Sequence, residues 1–487
     1  MNMKIKRSLF IALIILGIIT PMQGCKSSSS QDAERQTIRD EGAGSGQAII
    51  SLTDAQGDFI RYSVKVTSLK LTRANGSVVQ TLPLETEVDF AQLTDMTEFL
   101  TACTIPSGAY TRAIVTLDYA GADIEVEDAE GNAVQVAPED IIDENGDPIS
   151  GTVDITVNLE ALSCLVIAPG IPAHLALDFD LEATNTVTFD GVAPTVRVSP
   201  YIKADLVPAN HKIHRLRGPL KSVDVAGSTF NIILRPFRHA LNTHDNGFGT
   251  MQVNVNSETD YLINGVKYEG AAGLAEMNKL SVYTAVVVHG DLKAFPRLHF
   301  EAKEVYAGSS VPGGTLDVVR GNVISRSGDT ILMKGMTLER SEASVVCNDT
   351  VEVTLGKNTT VKAWKQYSLG SLDKDDISVG QRIQVFGTLT DTDSDNLKMD
   401  ATGGYVHLSL TTLTGKVVAP ASASEKMVIS LQTIDGRDVS QFDFDRTYDG
   451  MNIDPDHDAH PAHYIINSGS MACLLYTSPS PRDRQKS

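Results

Sequence analysis

From Ala48 onward, apolar residues fall at every second position and hardly anywhere at the spacing of a sustained helix. Tyr62, Val64 and Val66 share one face, whereas Leu69 and Leu71 share the other. The phase therefore flips at Thr67-Ser68, which predicts a β-bulge there. Ala74-Asn75-Gly76-Ser77 supplies a hairpin turn in which glycine can take a positive φ. Val153, Ile155, Val157 and Leu159 predict another strand. Leu175, Leu177, Phe179 and Leu181 alternate with Asp178, Asp180 and Glu182, as a strand with one buried and one solvated acidic face requires. One short helix is predicted around Phe90 to Leu100, where Phe90, Leu93, Phe99 and Leu100 roughly share a side. The pattern predicts an all-β protein whose first globular part, residues 46–208, is an antiparallel β-sandwich.

The second half repeats itself. Leu216-Arg217-Gly218-Pro219-Leu220, Val319-Arg320-Gly321-Asn322-Val323 and Leu413-Thr414-Gly415-Lys416-Val417 open three copies. The first continues with Thr259 after a strand at Val253 to Val255, then Val286-Val287-Val288-His289-Gly290. The second continues with Thr359 after Val351 to Val353, then Ile383-Gln384-Val385-Phe386-Gly387. Copies of about 100 residues are too long for solenoid units and suit independent small β-barrels. The expected boundaries are 209–312, 313–409 and an incomplete 410–470, the last with an exposed edge that should fold poorly. The one basic cluster, His211-Lys212-Ile213-His214-Arg215-Leu216-Arg217, is expected to be a linker between modules.

The N-terminus carries a different pattern. Lys4, Lys6 and Arg7 precede an apolar run from Leu9 to Ile19 that is short for a bilayer span, and Met22-Gln23-Gly24-Cys25 closes it. This resembles the bacterial lipoprotein signal. The resemblance implies removal of residues 1–24, acyl chains such as palmitate on Cys25, and a lipidated tether over 25–45. It also implies an envelope location at the outer membrane, since Lys26 is not the aspartate associated with inner-membrane retention. At the other end, Cys473-Leu474-Leu475-Tyr476-Thr477-Ser478-Pro479-Ser480-Pro481-Arg482-Asp483 looks like a translated sequencing adaptor. Residues 471–487 are accordingly expected not to belong to the fold, and the natural chain to be longer.

Two further resemblances rest on internal motifs. Leu52-Thr53-Asp54-Ala55 with Asp58, the turn Ile105-Pro106-Ser107-Gly108-Ala109-Tyr110, and Leu177-Asp178-Phe179-Asp180-Leu181 together resemble the envelope-protein family called domain of unknown function 4382. That family is similar to prealbumin-like or carboxypeptidase-regulatory-like sandwiches. The repeats resemble domain of unknown function 5666, which looks like an oligonucleotide/oligosaccharide-binding type of barrel. Neither resemblance brings an assigned activity.

Charge narrows the partners. The formal net charge is −20, and loss of the three cations in residues 1–24 takes it to −23. Without a basic stripe, nucleic acid is not an expected partner. Of the five cysteines, Cys103 and Cys164 can pair in an oxidising compartment or stay as buried thiols, and Cys347 has no evident mate.

The densest polar cluster is Asp454-Pro455-Asp456-His457-Asp458-Ala459-His460-Pro461-Ala462-His463. It reads as a solvated polar loop. The alternative is a zinc, copper or nickel site with His457, His460 and His463 as nitrogen ligands and Asp454 or Asp456 supplying oxygen. No other cofactor is expected. Asp391-Thr392-Asp393-Ser394-Asp395-Asn396 and Asp143-Glu144-Asn145-Gly146-Asp147 read as turns, since the glycine and glutamate of a calcium loop are missing from the first. His239, His244 and Asp245 are read as a loop cluster. Trp364 and Tyr367 can stack on a sugar ring, or fill a core. Esterase, zinc-protease, P-loop and dinucleotide motifs are absent from the sequence, so no enzyme is expected. The expected function is a membrane-anchored, non-catalytic binding or adhesion module for a glycan or an envelope protein. The alternatives are a structural spacer or a metal-binding envelope protein.

Overall fold

Alternation over Phe59–Arg73 and Gly108–Glu127 produces two long antiparallel strands, which form the backbone of one sheet. Their register slips between Val66 and Ser68, at the bulge predicted from the change of phase. The structure is a computed structural model. It describes residues 44–467 apart from 55–58, 94–95, 129–132, 161–163, 192, 200, 208–211, 239–246, 295–296, 340–344, 364–371, 392–396, 410, 420–425 and 445–460. The class is all-β, with about 64% strand. The longest helix among the described residues is Gly270–Met277, and none is long and apolar enough to cross a membrane.

Two sheets make the sandwich. One has the order Lys203–Asp205, Ala173–Asp178, Ser45–Thr53, Met96–Pro106. The other runs Leu165–Ile167, Gly108–Glu127, Phe59–Arg73, Val78–Gln80, with Thr86–Asp89, Ala133–Gln135 and Thr152–Asn158 on its flanks. Between them lie Ile50, Leu52, Tyr62, Val64, Leu117, Leu175 and Phe179, all nearly inaccessible. Phe90 stacks on Phe179 at 4.3 Å, and the buried Tyr62 hydroxyl finds Tyr119 at 3.0 Å and Asn185 at 3.1 Å. Asp54, from the first family motif, accepts from the Leu181 amide at 2.9 Å and so starts the short helix Leu181–Thr184.

Three expectations for this part are corrected. Ser45–Thr53 pairs in parallel with Ala173–Asp178 (Ile50 opposite Leu175), so the sandwich is not purely antiparallel. The chain between them crosses the opposite sheet, which is long enough for a parallel return. The predicted helix is only a 3-10 turn at Phe90–Leu93. Phe99 and Leu100 lie instead in the strand Met96–Pro106, whose threonines and phenylalanine prefer an extended backbone. Cys103 is a free thiol, raised by burial, and Cys164 is disulfide-bonded elsewhere, so the two do not pair with each other.

Both complete repeats close into five-stranded OB-like barrels. The first uses Ile213–Asp224, Thr229–Ile233, Thr250–Asn254, Ala285–Lys293 and His299–Ala307, in ring order one, two, three, five, four. The second uses Asp317–Ser327, Thr330–Glu339, Val345–Thr354, Arg382–Asp391 and Leu397–Leu408 in the same ring order. In each, strands three and five run parallel, Val253 beside Phe300 and Val351 beside Leu397. Gly290 and Gly387 mark the bend of the fourth strand. A β-carbon there would stand 2.1 Å from the Glu301 carbonyl oxygen or 2.6 Å from that of Asp400.

The repeated threonines act alike. Thr259 donates to the Ala302 carbonyl at 2.9 Å and accepts from the Asn256 amide at 3.0 Å. Thr359 donates to Ala401 at 2.7 Å and accepts from Gly356 at 2.8 Å. Each ties the end of strand three to strand five. Thr259→Val and Thr359→Val should each cost about 1–3 kcal/mol, because an amide and a carbonyl lose their buried partner. Comparable drops in the urea midpoints of the two variants would check this.

The barrels are not independent beads, and the basic cluster is no linker. Ile213, His214, Arg215 and Leu216 are buried in the first strand of the first barrel. That strand pairs in parallel with Met96–Pro106, placing Arg215 opposite Glu98, so sandwich and barrel share one eleven-stranded sheet and one core. The third repeat supplies Leu413–Ala419, Lys426–Ile434 and Tyr464–Asn467, the first three strands of the same order. Its apolar face is covered: Ile429, Leu431, Ile434, Phe442 and Phe444 pack into the core of the second barrel. Its open edge keeps Val417 and Val418 exposed.

Candidate functional site

The two complete barrels meet along their last strands. Val287, Tyr306, Val318, Phe386 and Tyr405 form a separate small core, with Phe386 stacked between Tyr405 at 4.0 Å and Tyr306 at 6.0 Å. Beside it lies a polar pocket. The first barrel contributes Asp260, Tyr261 and Lys267 from the hairpin Asp260–Ile263/Val266–Glu269, and Glu304 and Tyr306 from its last strand. The second contributes Lys362 from Thr360–Ala363, and Tyr405 and His407 from its last strand. The hairpin turns at Asn264-Gly265, both at positive φ, which is the two-residue turn such sequences favour.

A hydrogen-bond network crosses the interface. Tyr306 donates its hydroxyl hydrogen to Glu304 Oε2 at 2.6 Å, so His407 Nε2 at 3.0 Å is the donor to the Tyr306 oxygen. His407 Nδ1 stands 3.5 Å from the same carboxylate. Burial lowers the His407 pKa despite Glu304 pulling the other way, and burial and the Glu304 charge push Tyr306 far up. At the mouth, Lys362 Nζ lies 3.7 Å from Asp260. Burial and repulsion by Lys362 lower the pKa of Lys267.

One polar group at the pocket is unsatisfied among the described residues. The Tyr405 hydroxyl is buried beside the pocket and has no hydrogen-bond partner among the described residues, and burial raises its pKa. Tyr261 touches the pocket too, but its ring packs against Gly273 in the core of the first barrel. A buried hydroxyl without a partner costs on the order of 1–3 kcal/mol, so the Tyr405 hydroxyl is poised to donate to something that enters. The inner pocket has a volume of about 20 Å³, room for one water. It shares Leu262, Lys267 and Tyr405 with an outer cleft of about 270 Å³, walled by Ser309, Ser310, Thr315, Thr360 and the bare backbone at Gly403 and Gly404. The combination offers hydroxyl donors and acceptors, an aromatic floor and a cation at the rim.

The sequence-derived candidates fall elsewhere. Cys25, Trp364, Tyr367, Asp454, Asp456, His457 and His460 lie outside the described residues, as do His239, His244 and Asp245. His463 ends the turn Pro461–His463, and its side chain is likewise outside the description. Among the described residues no group of three His, Cys, Asp or Glu side chains is placed to hold a metal ion. Sequence reasoning missed Glu304, Tyr306, Tyr405 and His407. A signal was present: Glu304-Val305-Tyr306 and Tyr405-Val406-His407 occupy the last strand of each barrel, each a buried valine flanked by two polar residues on the opposite face. In comparisons with known proteins, no family model and no curated sequence matches this chain.

Proposed function

We propose that the protein is a non-catalytic binding module of the cell envelope, held to the outer membrane through lipid on Cys25, and that the cleft between its barrels takes a saccharide. The observation that carries the reading is the buried Tyr405 hydroxyl, without a hydrogen-bond partner among the described residues, beside a hydroxyl-lined cleft. A sugar brings hydroxyls that accept from Tyr405, an apolar ring face for the aromatic floor, and, in a uronic acid, a carboxylate for Lys267. The volume of about 270 Å³ suits one or two sugar units.

The test is calorimetry on the folded protein with neutral and uronic-acid oligosaccharides. Wild type should bind the acidic ones more tightly. Lys267→Ala should lose about tenfold toward acidic sugars and little toward neutral ones, whereas Tyr405→Phe should weaken both. Silence toward every sugar from a well-folded protein would remove the saccharide reading. The sheet that continues from sandwich into barrel favours a second reading, a stiff spacer holding something away from the membrane. Small-angle scattering would then fit one rigid particle.

A further inference from the structure

Three large side chains stand out of the protein in one place. Val166, Ile171 and Val207 are 60%, 58% and 62% exposed. They border a groove of about 890 Å³ that also touches Pro169 and, from the last hairpin of the first barrel, Arg297. Clustered exposed apolar residues mark a surface that something covers. What covers them is indicated by where the chain enters. Gly44, the first described residue, is pinned here: its carbonyl accepts from the Ser107 amide at 3.0 Å, and a β-carbon on it would stand 3.3 Å from Pro169. Residues 26–43 join this point to Cys25, and a chain of that length spans at most about 65 Å.

We propose that this face rests on the lipid bilayer, with Val166, Ile171 and Val207 dipping among the headgroups and Arg297 meeting lipid phosphate. The inference rests on the lipid-anchor reading of Cys25 and adds to it the orientation of the molecule. Protruding aliphatic residues gain by leaving water at the acyl boundary, and a cation at their rim pairs with phosphate. An otherwise acidic protein, at −23 without residues 1–24, is repelled by anionic lipid over most of its surface, which makes such a face the one to approach.

The experiment places a fluorophore at the face. In full-length protein carrying Trp364→Phe, Ile171→Trp is compared with Val78→Trp, which replaces a residue 56% exposed on the edge strand of the sandwich. Proteins are prepared with Cys25 intact or as Cys25→Ala, acylation is read by palmitate incorporation, and emission is measured on phosphatidylcholine/phosphatidylglycerol vesicles with brominated acyl chains. Bilayer contact predicts about a twofold loss of Ile171→Trp emission and almost none for Val78→Trp. Acylated, vesicle-bound protein whose Ile171→Trp emission is unquenched overturns the orientation and leaves the anchor standing. A blue shift without bromine quenching also overturns it, because protein then covers the face. If Cys25 takes no palmitate but Ile171→Trp is still quenched, the face holds lipid unaided and the anchor reading falls. Absence of both palmitate and quenching removes both.

Discussion

Glu98→Ala is expected to lower stability by about 3–5 kcal/mol, the largest loss from any single side chain considered for this protein. Glu98 is completely buried on the sandwich strand Met96–Pro106. Both its oxygens are taken by arginines of the first barrel: Oε2 by Arg215 Nε and Oε1 by Arg217 Nε at 2.6 Å. The Arg215 side chain is 3% exposed, and Arg217 lies over the Phe237 ring at 5.6 Å. Removing the carboxylate leaves the Arg215 guanidinium buried against Arg217 without its counter-charge, which costs far more than the net value of the ion pair itself. The damage falls on the seam where sandwich and barrel share a sheet, so the urea transition should shift and lose cooperativity. The triple change Glu98→Leu, Arg215→Met, Arg217→Met removes the charges together and should recover most of the loss. A drop under about 1 kcal/mol for Glu98→Ala would mean that the clamp is solvated.

The second large effect is acid destabilisation. Between pH 6.5 and 4 the protein should lose several kcal/mol through two histidines at the same seam. His174 Nε2 lies 2.8 Å from the Ser51 hydroxyl, its ring 6.2 Å from that of His214, and His214 stacks on Phe99 at 5.5 Å. Burial, then the His214 charge, hold His174 down to about 3. Burial holds His214 at about 4, with Asp291 pulling it up and Lys303 pushing it down. Both rings are therefore neutral in the folded protein, whereas in the unfolded chain they protonate near 6.5. The unfolded state takes up protons first as pH falls. The stabilisation is complete above 6.5 and is lost below it, the His214 share by about 4 and the His174 share by about 3. Each pH unit of that separation is worth up to about 1.4 kcal/mol per histidine. Urea midpoints measured from pH 7.5 to 4.5 should fall steeply for wild type and less steeply for His174→Gln with His214→Leu. Parallel curves would assign the acid lability to other groups instead, carboxylates or the buried His289 and His407, whose pKa values burial also lowers.

Much of the local structure was legible in the sequence. The phase change at Thr67-Ser68 became the bulge after Val66, and the Asn75-Gly76 turn joins its two strands. The matched Thr259 and Thr359 proved to be matched hydrogen-bonding devices, and the repeat starts are the first strands of barrels. The errors have one origin. Charge suggested that residues 211–217 were a linker, yet Ile213 to Leu216 are buried and Lys212 and Arg217 half-buried, because Glu98, Thr53 and Asp54 wait for Arg215, Arg217 and Lys212 from another module. Phe90 to Leu100 has helical spacing locally, but a sheet neighbour on each side of Met96–Pro106 outweighs it.

The alternation of apolar and polar residues, a property of adjacent positions, determined by itself that this protein is all-β, with a sandwich before a set of repeats. Only the tertiary structure decided that the modules fuse and that a cleft opens between the barrels. Glu98 and Arg215 are 117 residues apart, and Tyr306 and His407 are 101 apart. Side chains that far apart meet only after the strands are paired. Their charge and polarity describe what each can bind, while the burial that makes them bind one another is created by the fold.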